Sequence, residues 1–227
     1  MGAEARPPIL ASTLPTSALP NVCVAVTFDP FGLCGPLQIW LRRLTGLSSA
    51  VLWTPYGDVL ASLRTPGSAW NENGQRGINV LIARAVDLAR ETASADPAAV
   101  LADAVCQSSA LRRGGVTIVI LPPDGATAPV AASAVEMAST GQDGIDERLS
   151  RSLSGCPGVV VVDEVAVGAA FSCLGGRKHV LNDFMGRVAH APYTAAAASA
   201  LGALLARELA RALAPRRKVI CPCRRYD

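Results

Sequence analysis

Val22-Cys23-Val24-Ala25-Val26 is a run of five apolar residues with no polar alternation. A strand with one wet face alternates, whereas a strand apolar throughout is buried on both faces, as in a parallel sheet covered by helices. Working outward, the same reading applies to Ala50-Val51-Leu52-Trp53, Ile78-Asn79-Val80-Leu81-Ile82, Val116-Thr117-Ile118-Val119-Ile120-Leu121 and Val159–Val162. Helices are expected between them, at residues 37–44, 56–63, 96–112 and 145–153, and after the last strand to Leu213. Asp96-Pro97 is a capping residue followed by a proline suited to the first helical turn, and Thr194 caps the final helix. Thr65–Gly77 reads as a polar surface loop, Ala170–Arg187 as irregular, and Ala126–Thr140 fits no single period. Strands alternating with helices predict an α/β fold: a three-layer, doubly wound, five-stranded, mostly parallel sheet with right-handed crossovers.

Half of the 227 residues are hydrophobic and 17% are charged, below the usual quarter or so, so a sizeable core is available. The chain divides into a Pro-, Ala- and Thr-rich leader (1–20), an α/β domain (21–214) and a basic tail (215–227). The net charge is only +3, with no basic stripe bearing aromatic platforms, so no nucleic-acid partner is expected. The most apolar stretch, Ala195–Leu213, contains Arg207, Glu208 and Arg211, so no membrane span is expected. Residues 1–20 lack the apolar core of a secretory signal; the seven scattered cysteines are expected to be mostly buried free thiols in a reducing cytoplasm. Cys221-Pro222-Cys223 has no second ligand pair at zinc-site spacing, and no metal is expected. Neither phosphate-binding glycine motif occurs, and no cofactor is expected.

Ligands in doubly wound sheets gather at the carboxyl ends of the strands. Here those ends are Thr27–Cys34, Thr54–Asp58, Ala83–Asp87, Pro122–Asp124, Asp163–Glu164 and the loop before the last helix. His190, one of two histidines, precedes that helix and is the candidate general base; the other reading is a capping histidine. No G-x-S-x-G elbow is present, so a nucleophile would have to be found among Thr27, Asp29 and Cys34. Cys34 ahead of a helix has two readings, a thiolate favoured by the helix N-terminus or a buried, inert thiol. Asp29 before Pro30 is a turn residue or, with Thr27 and Cys34, a nucleophile candidate. Asp163, with Glu164 beside it, either orients His190 or closes a strand, and Asp183 is a further candidate for orienting it.

Several blocks resemble, in the right order, the FkbH-like proteins of polyketide and nonribosomal peptide pathways. They are Val24–Phe28 with Pro36-Leu37 and Trp40-Leu41; Trp53-Thr54-Pro55-Tyr56; Arg76–Arg84; Ala189–Thr194 with Ala200-Leu201-Gly202; and Arg217-Lys218-Val219-Ile220. The resemblance implies an N-terminal domain of flavodoxin/SGNH-hydrolase-like fold, followed in the family by a haloacid-dehalogenase-type phosphatase. It also implies an acyl carrier protein as partner, with Thr27, Tyr56, Asn79, Arg84 and Tyr193 as substrate-contacting candidates. The Asp-x-Asp pair of such a phosphatase is absent after Val219-Ile220, so phosphoryl chemistry is not carried over, and a truncated or frameshifted gene is one reading of the tail. The SGNH serine after the first strand and the Gly-x-Asn-Asp after the third are absent as well. The expected function is therefore an accessory domain that engages an acyl carrier protein carrying a glyceryl-type or other acyl unit. The alternatives are an acyl or glyceryl transferase or hydrolase working through His190, with Cys34 as its possible nucleophile, and a remnant without activity of its own.

Overall fold

The computed structural model describes residues 21–45, 51–74, 77–92, 94, 96–112, 115–122, 143–162 and 164–213. Five strands form one sheet: β1 (Val22–Val26), β2 (Val51–Trp53), β3 (Ile78–Ile82), β4 (Val116–Ile120) and β5 (Val159–Val162). All pair in parallel, in the order β2-β1-β3-β4-β5. The central strands β1 and β3 are buried at every position, as their unbroken apolar runs require.

The sheet separates two cores. On one side α1 (Phe31–Thr45) and α10 (Ala195–Leu213) cover Val22, Val24, Val26, Ile78, Val80, Ile82, Ile118 and Ile120. On the other side lie α2 (Val59–Arg64), α3 (Ala69–Glu72), α4 (Ala85–Glu91), α5 (Pro97–Leu111) and α6 (Asp143–Leu153). They pack against Cys23, Ala25, Leu81 and Val119. After β5 the chain makes α7 (Glu164–Phe171), a 3-10 turn (Ser172–Leu174), α8 (Arg177–Val180) and α9 (Asp183–Val188) before α10. The doubly wound α/β architecture is therefore the one that the strand pattern predicts.

The elements differ from expectation in several places, among them α4, which occupies a stretch where no helix is expected. Helix α1 begins at Phe31, not Leu37: the Asp29 carboxylate accepts the Phe31 N–H at 2.9 Å, and the Pro30 carbonyl accepts from Leu33 and Cys34. Pro36 sits inside it, where it removes one helical bond, because docking on α10 outweighs that loss. The crossing is close: a Cβ on Gly202 would lie 3.0 Å from the Leu37 nitrogen and 3.1 Å from Pro36 Cβ. Thr65–Gly77 is not simply a surface loop. Ser68 caps α3, whose Trp70 is fully buried and donates its indole N–H to Ser108 Oγ at 2.8 Å.

Ala170–Arg187 is helical in short pieces rather than irregular; Asn182 caps α9 by accepting the Met185 N–H. The cysteines are not mostly buried free thiols. Cys106 and Cys156, fifty residues apart, are joined in a disulfide with their Cα atoms 5.6 Å apart. Of the free described cysteines, Cys23 is buried, Cys34 half-buried and Cys173 exposed. Their spacing in sequence is scattered, and only the packing of α5 against the α6–β5 turn makes two of them neighbours. The expectations for residues 1–20, 126–140 and 215–227, and for Cys221 and Cys223, lie outside the described residues.

Candidate functional site

The chain leaves β1 toward β2 on one side and later returns to β3 on the other, so the order reverses between β1 and β3. Open α/β sheets form their binding crevice at such a reversal, beyond the carboxyl ends of the strands. Here the crevice is bridged by Thr27. Its hydroxyl accepts the Arg84 backbone N–H at 3.1 Å and donates to Asp87 Oδ2 at 3.4 Å. Asp87, buried on the first turn of α4, forms an ion pair with Arg84 Nη1 at 3.3 Å and a longer one with Arg90 at 3.8 Å. The Arg84 guanidinium also lies over the Tyr193 ring, 5.9 Å from its centre. Tyr193 meets Phe28 edge to face at 5.2 Å and Phe171 at 6.1 Å. Three segments distant in sequence, those of Thr27–Phe28, Arg84–Asp87 and Tyr193, thus meet at one point of the edge.

Tyr193 is held there by a neck. Leu181 and Tyr193 form an antiparallel bridge, Asn182 N–H donates to the Pro192 carbonyl, and Thr194 N–H donates to the Val180 carbonyl. Thr194 also caps α10 through Ala197 N–H, as expected, while its own hydroxyl donates to the His179 carbonyl.

The remaining candidates divide. His190 is exposed at the rim, in the left-handed region (φ 52°), and its carbonyl accepts the Asp29 N–H at 2.9 Å. Asp29 itself caps α1 and lines a shallow cavity of about 30 Å³ with Phe28, Gly32, Ala191, Pro192 and Tyr193, room for little more than a water. Cys34 lies one turn into α1 and donates its thiol to the Pro30 carbonyl at 3.3 Å. Burial, then the nearby Asp29 charge, pushes that thiol up, against the smaller lowering effect of a backbone hydrogen bond. This is opposite to the lowering that an activated thiolate needs.

Asn79 sits near the amino end of β3, away from this edge. It is fully buried, donates to the Trp70 carbonyl at 2.8 Å and accepts from Asn73 at 2.7 Å, which makes it a packing residue. Tyr56 is exposed in the turn after β2. Asp183 opens α9 and is exposed. Asp163 lies outside the described residues.

Glu91 escapes sequence reasoning, and Asp87 enters it only as the last residue of the Ala83–Asp87 strand end, because no helix is expected between β3 and Asp96. Asp87 and Glu91 stand three and seven positions after Arg84, a spacing that places them on one helical face. Burial, followed by the charges of Asp87 and Asp58, pushes the Glu91 carboxyl up to about 7. Its Oε1 is buried without a hydrogen-bond partner among the described residues. A carboxyl poised near neutrality can give or take a proton. Among the described residues no cluster of three or more His, Cys, Asp or Glu could hold a metal ion, and no helix is long and apolar enough to cross a membrane.

No protein-family model matches the chain, and no curated protein does. Two solved structures share its fold. One is the N-terminal part of the protein BF1531 from Bacteroides fragilis, containing a phosphatase domain complexed with Mg (TM-score 0.56, 12% identity, 82% of this chain and 50% of that one). The other is the protein YXIM from Bacillus subtilis (TM-score 0.50, 17% identity, 85% of this chain and 56% of that one). The chain thus spans about half the length of the structures it matches, and what it has in common with both is the parallel, doubly wound α/β sheet.

Proposed function

We propose that this domain is an accessory, binding module of the FkbH-like kind that engages an acyl carrier protein at the carboxyl edge of its sheet. The observation that carries the reading is the convergence at that edge. Blocks resembling the FkbH-like proteins, otherwise scattered through the sequence, contribute Thr27, Phe28, Arg84 and Tyr193 to a single contact network. That network holds a mostly buried, ion-paired arginine and packed aromatic rings but no activated nucleophile: Thr27 is tied to Arg84 and Asp87, and the Cys34 thiol is pushed up. The rim is apolar. Phe31 is 85%, Phe184 65% and Val188 67% exposed, and backbone bonds from Asp29 to His190 and from Ala191 to Met185 bring their segments together. Exposed aromatics around a charged centre are a usual composition for a protein-docking patch.

The test is a pull-down of the full chain with a phosphopantetheinylated acyl carrier protein at low and high salt. Salt-sensitive retention, weakened about tenfold or more by Phe184→Ala, supports the reading. No retention at low salt rejects it. A transferase or hydrolase working through His190 is the second reading, favoured by the exposure of that side chain at the rim. Incubation with an acyl carrier thioester decides it by mass spectrometry: no adduct and no turnover in the wild type leaves binding alone.

A further inference from the structure

The disulfide lies away from the carboxyl edge and serves none of the roles assigned to it. Cys106 is on α5 and Cys156 is in the turn between α6 and β5. Both are partly buried against the second core, so both are reachable from solvent once that edge of the core breathes. Their Cα atoms are 5.6 Å apart, inside the range a disulfide spans without backbone movement. Helix α6 sends Leu149 and Leu153 into the core and pairs Arg148 with Asp96 of the α5 cap at an exposed 3.5 Å contact. The cross-link closes fifty residues, including all of β4. The other described cysteines have no such neighbour.

We propose that Cys106 and Cys156 form a reversible thiol–disulfide couple, a redox modification site whose oxidation staples α6 to α5. The oxidant is a low-molecular-weight disulfide such as oxidised glutathione. One cysteine thiolate attacks it, forming a mixed disulfide and expelling one glutathione thiolate. The second cysteine thiolate attacks the protein sulfur of that mixed disulfide and expels the other. The two protons lost by the cysteines end on the two released thiols, so two electrons pass from protein to glutathione. Partial exposure of both cysteines is the property that makes a disulfide exchangeable with a small thiol rather than permanent.

The experiment equilibrates the full-length chain in glutathione buffers from fully oxidised to millimolar reduced, quenches it with an alkylating agent and maps its peptides. The expected result is a Cys106–Cys156 linked peptide pair, two hydrogens lighter than the separate peptides, that disappears in the reducing buffers. The melting temperature should fall by about 10 °C on reduction, as expected for opening a loop of this length in a domain of this size. Cys106→Ser and Cys156→Ser should each match the reduced wild type and lose their response to reductant. Absence of the linked pair in oxidising buffer, its persistence in millimolar reduced glutathione, or a serine variant that still responds to reductant would overturn the proposal. The peptide map needs only the wild type, so it stands even where a serine variant folds poorly.

Discussion

On the α1–α10 side of the sheet, β1, β3 and β4 present Val22, Val24, Val26, Ile78, Val80, Ile82, Ile118 and Ile120, and leucines of the two helices fill the space between. On the opposite side the same strands present Cys23, Ala25, Asn79 and Thr117 beside Leu81 and Val119. The first face is held by aliphatic burial and by two long helices in near contact at Gly202. The second is covered by α2 to α6, of which α5 is as long as α1, and is tied by polar bonds. Asn79 holds the Trp70 carbonyl, Trp70 holds Ser108, and the Ser108 hydroxyl donates to Asn71. Arg112, 3% exposed, donates to the carbonyls of Gly77, Gly74 and Val116 and to Thr117 Oγ1, and burial pushes its pKa down. Apolar burial tolerates small shifts because it has no direction, while buried polar bonds fix register but leave a donor or acceptor stranded when one partner goes. A face assembled from several separate helices gains from that fixing.

The contrast can be broken most forcefully at Trp70. Trp70→Ala removes a fully buried ring and strands the Ser108 end of the chain of bonds, and should cost about 4 kcal/mol in denaturant unfolding. A loss near 1 kcal/mol would mean that α3 collapses easily and that the second face is not tied through it. Arg112→Met keeps the volume but leaves the carbonyls of Gly77, Gly74 and Val116 without that donor; about 3 kcal/mol should be lost. If Arg112→Met is as stable as the wild type, polar fixing of that face is wrong.

The other face is probed at Gly202. Alanine improves helix propensity by about 1 kcal/mol but drives a methyl against Leu37 and Pro36 backbone at 3.0–3.2 Å, where overpacking costs about 2 kcal/mol. The net loss should be about 1 kcal/mol, read from the urea midpoint; a gain would show that the helices can separate slightly at no cost. The last test reads a pH slope on the second face, at the end of α4. Glu91 titrates near 7 when folded against an ordinary 4.5, so between these values the folded chain holds a proton that the unfolded chain releases. Stability from this group is therefore present below about pH 4.5 and is lost as pH rises through 7. Glu91→Gln should flatten that fall in a series of unfolding curves.

The sheet was legible because its evidence is local. An unbroken run such as Val22–Val26 reports burial on both faces without reference to the rest of the chain. The capping residues Asp96 and Thr194 likewise act within a few positions of themselves. The elements that were misread are those in which packing overrides local preference: Pro36 inside a docked helix, Trp70 in a stretch of polar residues, and four short segments after β5. The site was legible only in part for the same reason. Thr27, Arg84 and Tyr193 stand where a strand-end rule puts them, but Asp87 and Glu91 depend on a helix with no apolar period long enough to announce itself. Asn79 misled because strand membership does not say which end of the strand faces a ligand.

The neck formed by Leu181 and Tyr193 has an evolutionary and practical side. Its three backbone contacts close residues 182–192 upon themselves, so the segment bearing Phe184, Val188 and His190 leaves and rejoins the body at nearly one place. Such a loop is a cassette. Its interior can change in length or sequence while the start of α10 stays where Thr194 anchors it, and descendants of one scaffold can diverge there first. Swapping residues 183–191 as a block between similar domains is accordingly the cheapest way to exchange whatever specificity the rim carries, leaving the sheet beneath untouched.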